Sequence, residues 1–310
     1  VTGDGYRSEC GKWCGSEGCN FDPRKVVRGD CVFVETTNLA TLQTTAAYVQ
    51  TFVRETLAVI AQPIVLVTHN GDLSMPDGDS HAPYEPKWPT EVFSDVLAHP
   101  NVTRWLASNC HWKGHGAGTP RPCKLECIPI GVENRYNRVG RKPAAILAAL
   151  RVGRPEPPRQ KLLLSFTPHR IKPDRALAIE ALGGLPWVTE RVGDREHWLS
   201  DIRSHRFVLS PHGHGLDCHR TWEILLLGGV PVVRTSSLDS MYDGLPVVIV
   251  KEWADVTEAF LDEQWRWVQS APFHMDRVLW PYWAGRLELA RGAAKSYPAQ
   301  GCSAPLGGLR

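Results

Sequence analysis

Apolar residues in this chain fall into short uninterrupted runs, separated by longer stretches in which they recur about every 3.6 residues. The runs predict buried strands at Pro63–Thr68, Phe207–Ser210, Val230–Val233 and Pro246–Val250, and further strands are read at Cys31–Glu35, Val102–Ala107, Leu125–Ile130 and Lys161–Phe166. The periodic stretches predict helices over most of Leu39–Ile60, then over Thr90–Ala98, Ala144–Arg151, Arg175–Leu182, Arg195–Ser204, Asp217–Leu227, Ala254–Gln269 and Trp280–Ala293. Strands alternating with helices define an α/β protein with parallel sheets. Residues 1–29 are rich in glycine, cysteine and charge and have no period, so they read as an irregular segment stapled by cystines. The stretch Ser74–Pro89 reads as a long, proline-rich loop of the kind that is often functional. Three prolines in Arg154–Arg159 mark a linker. It divides the chain into a domain at 1–155, a second at 156–280, and a terminal helix and tail at 281–310.

The most informative stretch runs from Arg206 to Val250. After the strand Phe207–Ser210, the residues Pro211, Gly213 and Gly215 impose a loop. The next helix carries Trp222, Leu225 and Leu226 on one face, with Asp217 in the N-cap position and Gly228-Gly229 as its stop. This is a βαβ unit, and open parallel sheets bind ligands beyond the carboxyl ends of their strands. His212, His214, Asp217, Arg220 and Glu223 are thereby expected around one cleft. A helix that opens behind a glycine-bearing loop presents free N–H groups and a positive dipole end, which suits a diphosphate. Arg220 can fork onto phosphate oxygens, and Glu223, one turn further, can accept the two hydroxyls of a ribose. Gly213, Gly215 and Thr221 complete this donor-binding set. The plainer alternative is a helix start with an Arg–Glu pair and no ligand.

The string SPHGHGLDCHRTWEILLLGGVPVV resembles the donor-binding signature of exostosin-like glycosyltransferases. In that pattern an apolar strand leads to Pro-x-Gly, then to Asp, Arg and Glu on a helix, a small-residue stop and Pro-Val-Val. WLASN and KLECIPIGVENR resemble the first domain of the same family. The Glu, its apolar helix and GGVPVV are also similar to the ribose-binding segment of GT-B glycosyltransferases. Many of those carry a second Glu eight residues earlier, where this chain has Gly215. The resemblance implies the GT-B fold: two Rossmann-like domains, for acceptor and for donor, with parallel sheets facing across a cleft. It implies a nucleotide-sugar donor, UDP-linked, as substrate, with no cofactor and no metal, and a glycan or glycoprotein acceptor. It makes Arg170 and Lys172 further ligands of the donor phosphates, against the alternative of a solvated basic loop. It also implies that the terminal helix crosses back to the first domain, bringing Cys302 towards the N-terminal cysteines.

Composition narrows the class. At 310 residues, with 43% hydrophobic and 22% charged residues, the chain suits two globular domains. A net charge of +2 argues against a dedicated nucleic-acid binder. No apolar run is long enough to cross a bilayer and no signal peptide is present, so membrane attachment would need a segment outside this sequence. The start at Val1 reads as a trimmed or mature form. Of nine cysteines, all but Cys218 form an even set for four disulfides, which implies the secretory pathway and, for this class of enzyme, the Golgi lumen. The alternative is zinc, but neither cysteine cluster has paired two-residue knuckles. Asn101-Val-Thr is an N-glycosylation sequon.

Glycosyl transfer requires stabilisation of the leaving diphosphate, a base for the acceptor hydroxyl, and exclusion of water. Arg220 serves the first need. Asp72 and His69, in a loop after the Pro63–Thr68 strand, are the candidate bases for an inverting reaction, and Asp217 is the alternative from the other domain. Each can equally be a cap or turn residue, and a retaining reaction needs no such base. Closure of the Ser74–Pro89 loop would exclude water. His212, His214, Cys218 and His219 have zinc-ligand chemistry, but the helix turns the last two away from the loop histidines, which are read as neutral donors to sugar or phosphate. Of the twelve tryptophans, Trp88, Trp112 and Trp283 are candidates to stack on acceptor sugars. The rival classes are a glycan hydrolase or phosphorylase and a secreted glycan-binding protein that has lost catalysis.

Overall fold

The computed structural model describes residues 1–15, 17–36, 49–72, 74–76, 90–112, 120–132, 143–152, 160–166, 173–193 and 195–296. Residues 37–48, the 77–89 loop, the 153–159 linker, Arg170, Lys172, Trp88 and Cys302 lie outside these. The chain divides into two compact units, one formed by Gly3–Ile130 with Leu279–Arg310 and the other by Gly131–Val278.

The first unit begins with α1 (Gly3–Cys10), β1 (Lys12–Gly15), β2 (Gly18–Cys19) and β3 (Cys31–Glu35). It continues through β4 (Ile64–His69), β5 (Met75–Pro76), α2 (Thr90–Ala98), β6 (Val102–Ala107), β7 (Cys110–His111) and β8 (Leu125–Cys127). Its main sheet has the order β2-β1-β3-β4-β6-β8, parallel except for the β1–β2 hairpin. Every residue of β4 and β6 is buried, including the polar Thr68, His69, Thr103 and Arg104, as expected when both faces of the sheet are covered. Of the predicted Leu39–Ile60 helix, the described part is helical from Val49 but irregular, with a π turn at Phe52–Thr56 and a 3-10 turn at Leu57–Val59.

The first residues are not irregular. Gly3, Tyr6 and Cys10 share the buried face of α1, and the Tyr6 ring meets Trp280 edge-on with centroids 4.9 Å apart. Cys10–Cys31 fastens the end of α1 to the start of β3, and Cys14–Cys19 closes the hairpin. The four N-terminal cysteines therefore pair among themselves and leave no partner there for Cys302. Cys110–Cys127 joins β7 to β8, and Cys123 is also disulfide-bonded.

In the second unit α3 (Pro143–Val152), β9 (Gln160–Leu164), α4 (Pro173–Leu182), β10 (Val188–Glu190) and α5 (Arg195–Ser204) come first. They are followed by β11 (His205–Leu209), α6 (His219–Leu226), β12 (Val230–Arg234), β13 (Val248–Val250) and α7 (Glu258–Ser270). The sheet has the order β10-β9-β11-β12-β13 and is parallel throughout. Alternation along the strands supplies two cores. Leu162, Leu164, Phe207 and Leu209 pack with Ala178, Leu182 and Leu261 on one face. Leu163 and Val208 pack with Ile146, Leu199, Ile202 and Ile224 on the other. Burial of each large aliphatic side chain contributes about 1.5–3 kcal/mol. Because Ile146 of α3 belongs to this second core, α3 sits with the second unit rather than ahead of the division, as the proline-rich linker suggests.

The last helix, α8 (Trp280–Lys295), belongs to the first unit. Trp283, Leu287, Ala290 and Ala294 are its buried positions, which makes Trp283 a core residue and not a sugar platform. Arg286 of α8 forks onto Oε1 of Glu126 through Nε (2.9 Å) and Nη2 (2.6 Å). Both units are thus Rossmann-like, each a parallel sheet with helices against it.

His205, fully buried at the start of β11, donates from Nδ1 to the Asp201 carbonyl at 2.6 Å. Burial, reinforced by Arg191, holds its pKa below the ordinary 6.5 against the opposing pull of Asp201. The unfolded chain therefore takes up a proton that the native state refuses, so this contribution to stability is complete above about pH 6.5 and is lost as pH falls below it. The melting temperature should drop between pH 7.5 and 5, and His205→Gln should flatten that drop. An unchanged slope in the variant would remove His205 as its cause.

Candidate functional site

The loop Ser210–Cys218 leaves the carboxyl end of β11 and leads into α6. Its first anchor is a hydrogen bond of 2.8 Å between Ser210 Oγ and Thr221 Oγ1, so the Thr221 hydroxyl is used inside the motif. The second is Gly213, whose N–H donates to the Gly215 carbonyl at 3.1 Å. A Cβ on Gly213 would stand 3.0 Å from Cys218 Sγ, so this glycine is what lets the loop fold over the thiol. Cys218 is also the N-cap residue of α6.

Asp217, expected in that cap position, instead lies beneath the helix. It is 2% exposed, and both of its carboxylate oxygens accept from Trp222 Nε1 at 2.9 Å. Tyr242, whose phenol burial and then Asp217 hold protonated far above its usual range, bonds to the same carboxylate. In this setting Asp217 organises the core below the loop.

Arg220 is half-buried between two rings. Its Cζ stands 5.2 Å from the centroid of Phe166 and 5.4 Å from that of Trp198. Trp198 also donates from Nε1 to Glu223 Oε2 at 2.9 Å, so one indole holds both members of the expected Arg–Glu pair. Glu223 is only 1% exposed. The sequence places it on an open face one turn after Arg220, whereas α5 brings Trp198 over it and encloses it. Arg175 approaches the Phe166 ring as well, with Cζ 6.0 Å from the centroid and Nη2 3.7 Å from the position of a Cβ on Gly213. Its Nε is buried with no hydrogen-bond partner among the described residues.

Asp174, in the first turn of α4, ties this region together. Its Oδ2 accepts from the His212 N–H at 2.8 Å, and its Oδ1 from Arg234 Nη1 (2.8 Å) and Trp253 Nε1 (2.9 Å). One buried carboxylate thereby joins the loop after β11, the end of β12 and the turn before α7. His214 is exposed, and His219 donates from Nδ1 to the Gly131 carbonyl at 2.6 Å. Among the described residues no three His, Cys, Asp or Glu side chains converge in a metal-binding group.

In the first unit His69 ends β4 and is 1% exposed. Nδ1 accepts the Asn70 N–H at 2.6 Å, which places the proton on Nε2, and this donates to the Pro129 carbonyl at 2.9 Å. Asn70 is in the left-handed region at φ 69°, and a Cβ on Gly71 would stand 2.5 Å from the Thr36 carbonyl oxygen. Asn109 closes the turn by donating to the Gly71 carbonyl at 2.9 Å. Asp72 follows this locked turn and is exposed. The two base candidates thus differ: the ring nitrogens of His69 are taken up by the Asn70 amide and the Pro129 carbonyl, and Asp72 faces solvent.

Sequence reasoning missed Phe166, Asp174, Arg175, Trp198 and Arg234. A Pro-Asp helix start is visible at Pro173-Asp174, but its partners are 38, 60 and 79 positions away. No local pattern reports such pairings.

No protein-family model and no curated protein sequence matches the chain. Several solved structures do, at low similarity. The catalytic domain of starch synthase IV from Arabidopsis thaliana, bound to ADP and acarbose, is 9% identical with a TM-score of 0.39, over 86% of this chain and 73% of that one. AviGT4, a glycosyltransferase of avilamycin A biosynthesis, is 16% identical with a TM-score of 0.37, over 86% and 85%. A UDP-forming α,α-trehalose-phosphate synthase from Burkholderia vietnamiensis is 13% identical with a TM-score of 0.37, over 86% and 70%.

Proposed function

We propose that this chain is a GT-B glycosyltransferase of the exostosin-like kind, moving a sugar from a nucleotide-diphosphate donor, UDP-linked, to a hydroxyl of a glycan or glycoprotein. The observation that carries the reading is the pair of guanidiniums, Arg175 and Arg220, held around Phe166 beside the Gly213 loop at the carboxyl end of a parallel sheet. Two like charges around one ring are better accommodated when an anion lies between them, and a diphosphate matches both their forks and the loop.

In the transfer the acceptor oxygen bonds to the anomeric carbon as the bond from that carbon to the diphosphate oxygen breaks. Arg220 and Arg175 stabilise the charge on the departing diphosphate, with no metal required. His212 and His214 act as neutral donors to sugar or phosphate, and Arg170 and Lys172 extend the cationic set. For an inverting reaction Asp72 takes the acceptor proton, because it is open to solvent and His69 is not. The disulfides support an oxidising compartment, and the proposed location is the Golgi lumen.

Titration calorimetry and thermal unfolding with UDP, GDP and ADP test the reading directly. Saturating UDP should raise stability by about 2.7 kcal/mol at a hundredfold excess over Kd. If no nucleotide raises the melting temperature while glycans bind, the chain is a glycan-binding protein. Sugar release at the same rate with and without acceptor would make it a hydrolase. Glu223 is the assigned ribose ligand. Glu223→Gln keeps an acceptor for Trp198, so it should weaken UDP binding about tenfold with little change in melting. Glu223→Ala strands a buried N–H and should also cost about 1–3 kcal/mol of stability. Equal UDP affinity in wild type and Glu223→Gln would remove Glu223 from the nucleotide.

A further inference from the structure

Glu223 is assigned to the ribose of the donor, yet the residue is almost wholly enclosed, at 1% exposure. The enclosure follows from the packing of α5 on α6. Leu199 and Ile202 of α5 and Ile224 of α6 lie in one buried core, which fixes the two helices side by side. Trp198 precedes Leu199 and is only half-buried, packed on the rim of that core. From there its Nε1 donates to Glu223 Oε2 at 2.9 Å. A carboxylate taken out of water needs such a donor, because an ionised group left unmatched there is costly.

The same indole stands against Arg220, whose Cζ is 5.4 Å from the Trp198 ring and 5.2 Å from the Phe166 ring. The two rings differ in how firmly they are held. Phe166 is buried in the core on the opposite face of the sheet, whereas Trp198 sits at a helix surface. Rotation about its own side-chain bonds takes the indole off Glu223 and leaves Leu199, and with it α5, in place. A ribose supplies two hydroxyls, and each can donate to a carboxylate. One neutral donor then replaces another, and Glu223 passes from indole to sugar without losing its match. A ligand without those hydroxyls has nothing to exchange for the indole N–H.

We propose that Trp198 is a positioning residue that covers the ribose site: its indole holds Glu223 until ribose hydroxyls take over the carboxylate, and then turns aside. The proposal rests on the transferase reading, which assigns a nucleotide to Arg220 and Glu223.

The test uses the whole chain. Whichever of UDP, GDP and ADP binds is compared by calorimetry with its dideoxy form, which keeps base and diphosphate and lacks both ribose hydroxyls. In parallel the indole N–H of Trp198, assigned through bonds, is followed by proton–nitrogen NMR. The saturating ribonucleotide should move this signal to the position of an unbonded indole, and the dideoxy form should leave it where it is. Trp198→Phe keeps a ring beside Arg220 but loses the N–H. It should bind the ribonucleotide about tenfold more tightly, the worth of one bond to a charged group, and the dideoxy form no differently. The ratio of the two affinities therefore widens, whereas a purely structural role would change both by the same factor. A Trp198 signal that the ribonucleotide leaves unmoved, or that both ligands move equally, would overturn the proposal, and so would an affinity ratio equal in wild type and Trp198→Phe. The NMR measurement needs no variant, so the outcome does not depend on how well Trp198→Phe folds. Nucleotide bound with Trp198 unmoved sinks the cover alone; no binding of UDP, GDP or ADP sinks the transferase reading and the cover with it.

Discussion

Arg220→Ala should lower glycosyl transfer by a factor of about 10²–10³ or more while the protein stays folded. The loss is large because the guanidinium meets charge that develops only as the sugar–diphosphate bond breaks. Arg220 also contributes two cation–π contacts, each worth about 0.5–1 kcal/mol at a partly exposed site. Arg220→Lys should recover only part of the rate, because an ammonium supplies the charge without the planar fork. Turnover with a UDP-sugar panel, measured beside thermal melting, separates the effects. A variant that melts normally and turns over near the wild-type rate would end the assignment of Arg220 to the leaving group.

Asp174→Ala carries the largest expected loss of stability. Removing a buried carboxylate that serves a guanidinium, an indole and a backbone amide leaves all three donors unmatched. The expected cost is about 3 kcal/mol, at the low end for a broken buried pair because the Arg234 side chain is 26% exposed. That corresponds to a fall of roughly 6 °C or more in melting temperature. The same change frees the His212 amide, so nucleotide affinity should fall as well. A melting temperature within about 2 °C of wild type would show that the three elements hold together without it.

What the sequence discloses here depends on range. The buried strands are most legible where parallel strands covered on both faces are apolar at successive positions, as in Ile64, Val65, Leu66 and Val67. α6 is legible from its glycine-broken entry, apolar face and Gly-Gly stop. The N-terminal segment is not, because the buried positions of α1 are a glycine, a tyrosine and a cysteine among charged neighbours, which erases the apolar period. β10 escapes notice for a related reason: three residues at a sheet edge, half-exposed, carry no apolar run. At the site, Arg220 and Glu223 stand out as residue types at helical spacing. Their surroundings do not, since Trp198 reaches them from the preceding helix, and Asp174, from the one before that, holds the loop that leads into theirs. The burial of Glu223 is invisible in its own neighbourhood because what covers it is encoded 25 residues earlier.

The route of the chain has a consequence for synthesis. Trp283, Leu287, Ala290 and Ala294 complete the packing of a lobe whose sheet strands lie between Lys12 and Cys127. That lobe cannot close on the ribosome until its final helix has emerged, whereas Gly131–Val278 is contiguous and can fold as soon as it is clear of the tunnel. The half that is translated first must wait for the half that follows, and a nascent chain stopped near residue 280 would carry a finished second lobe behind an open first one.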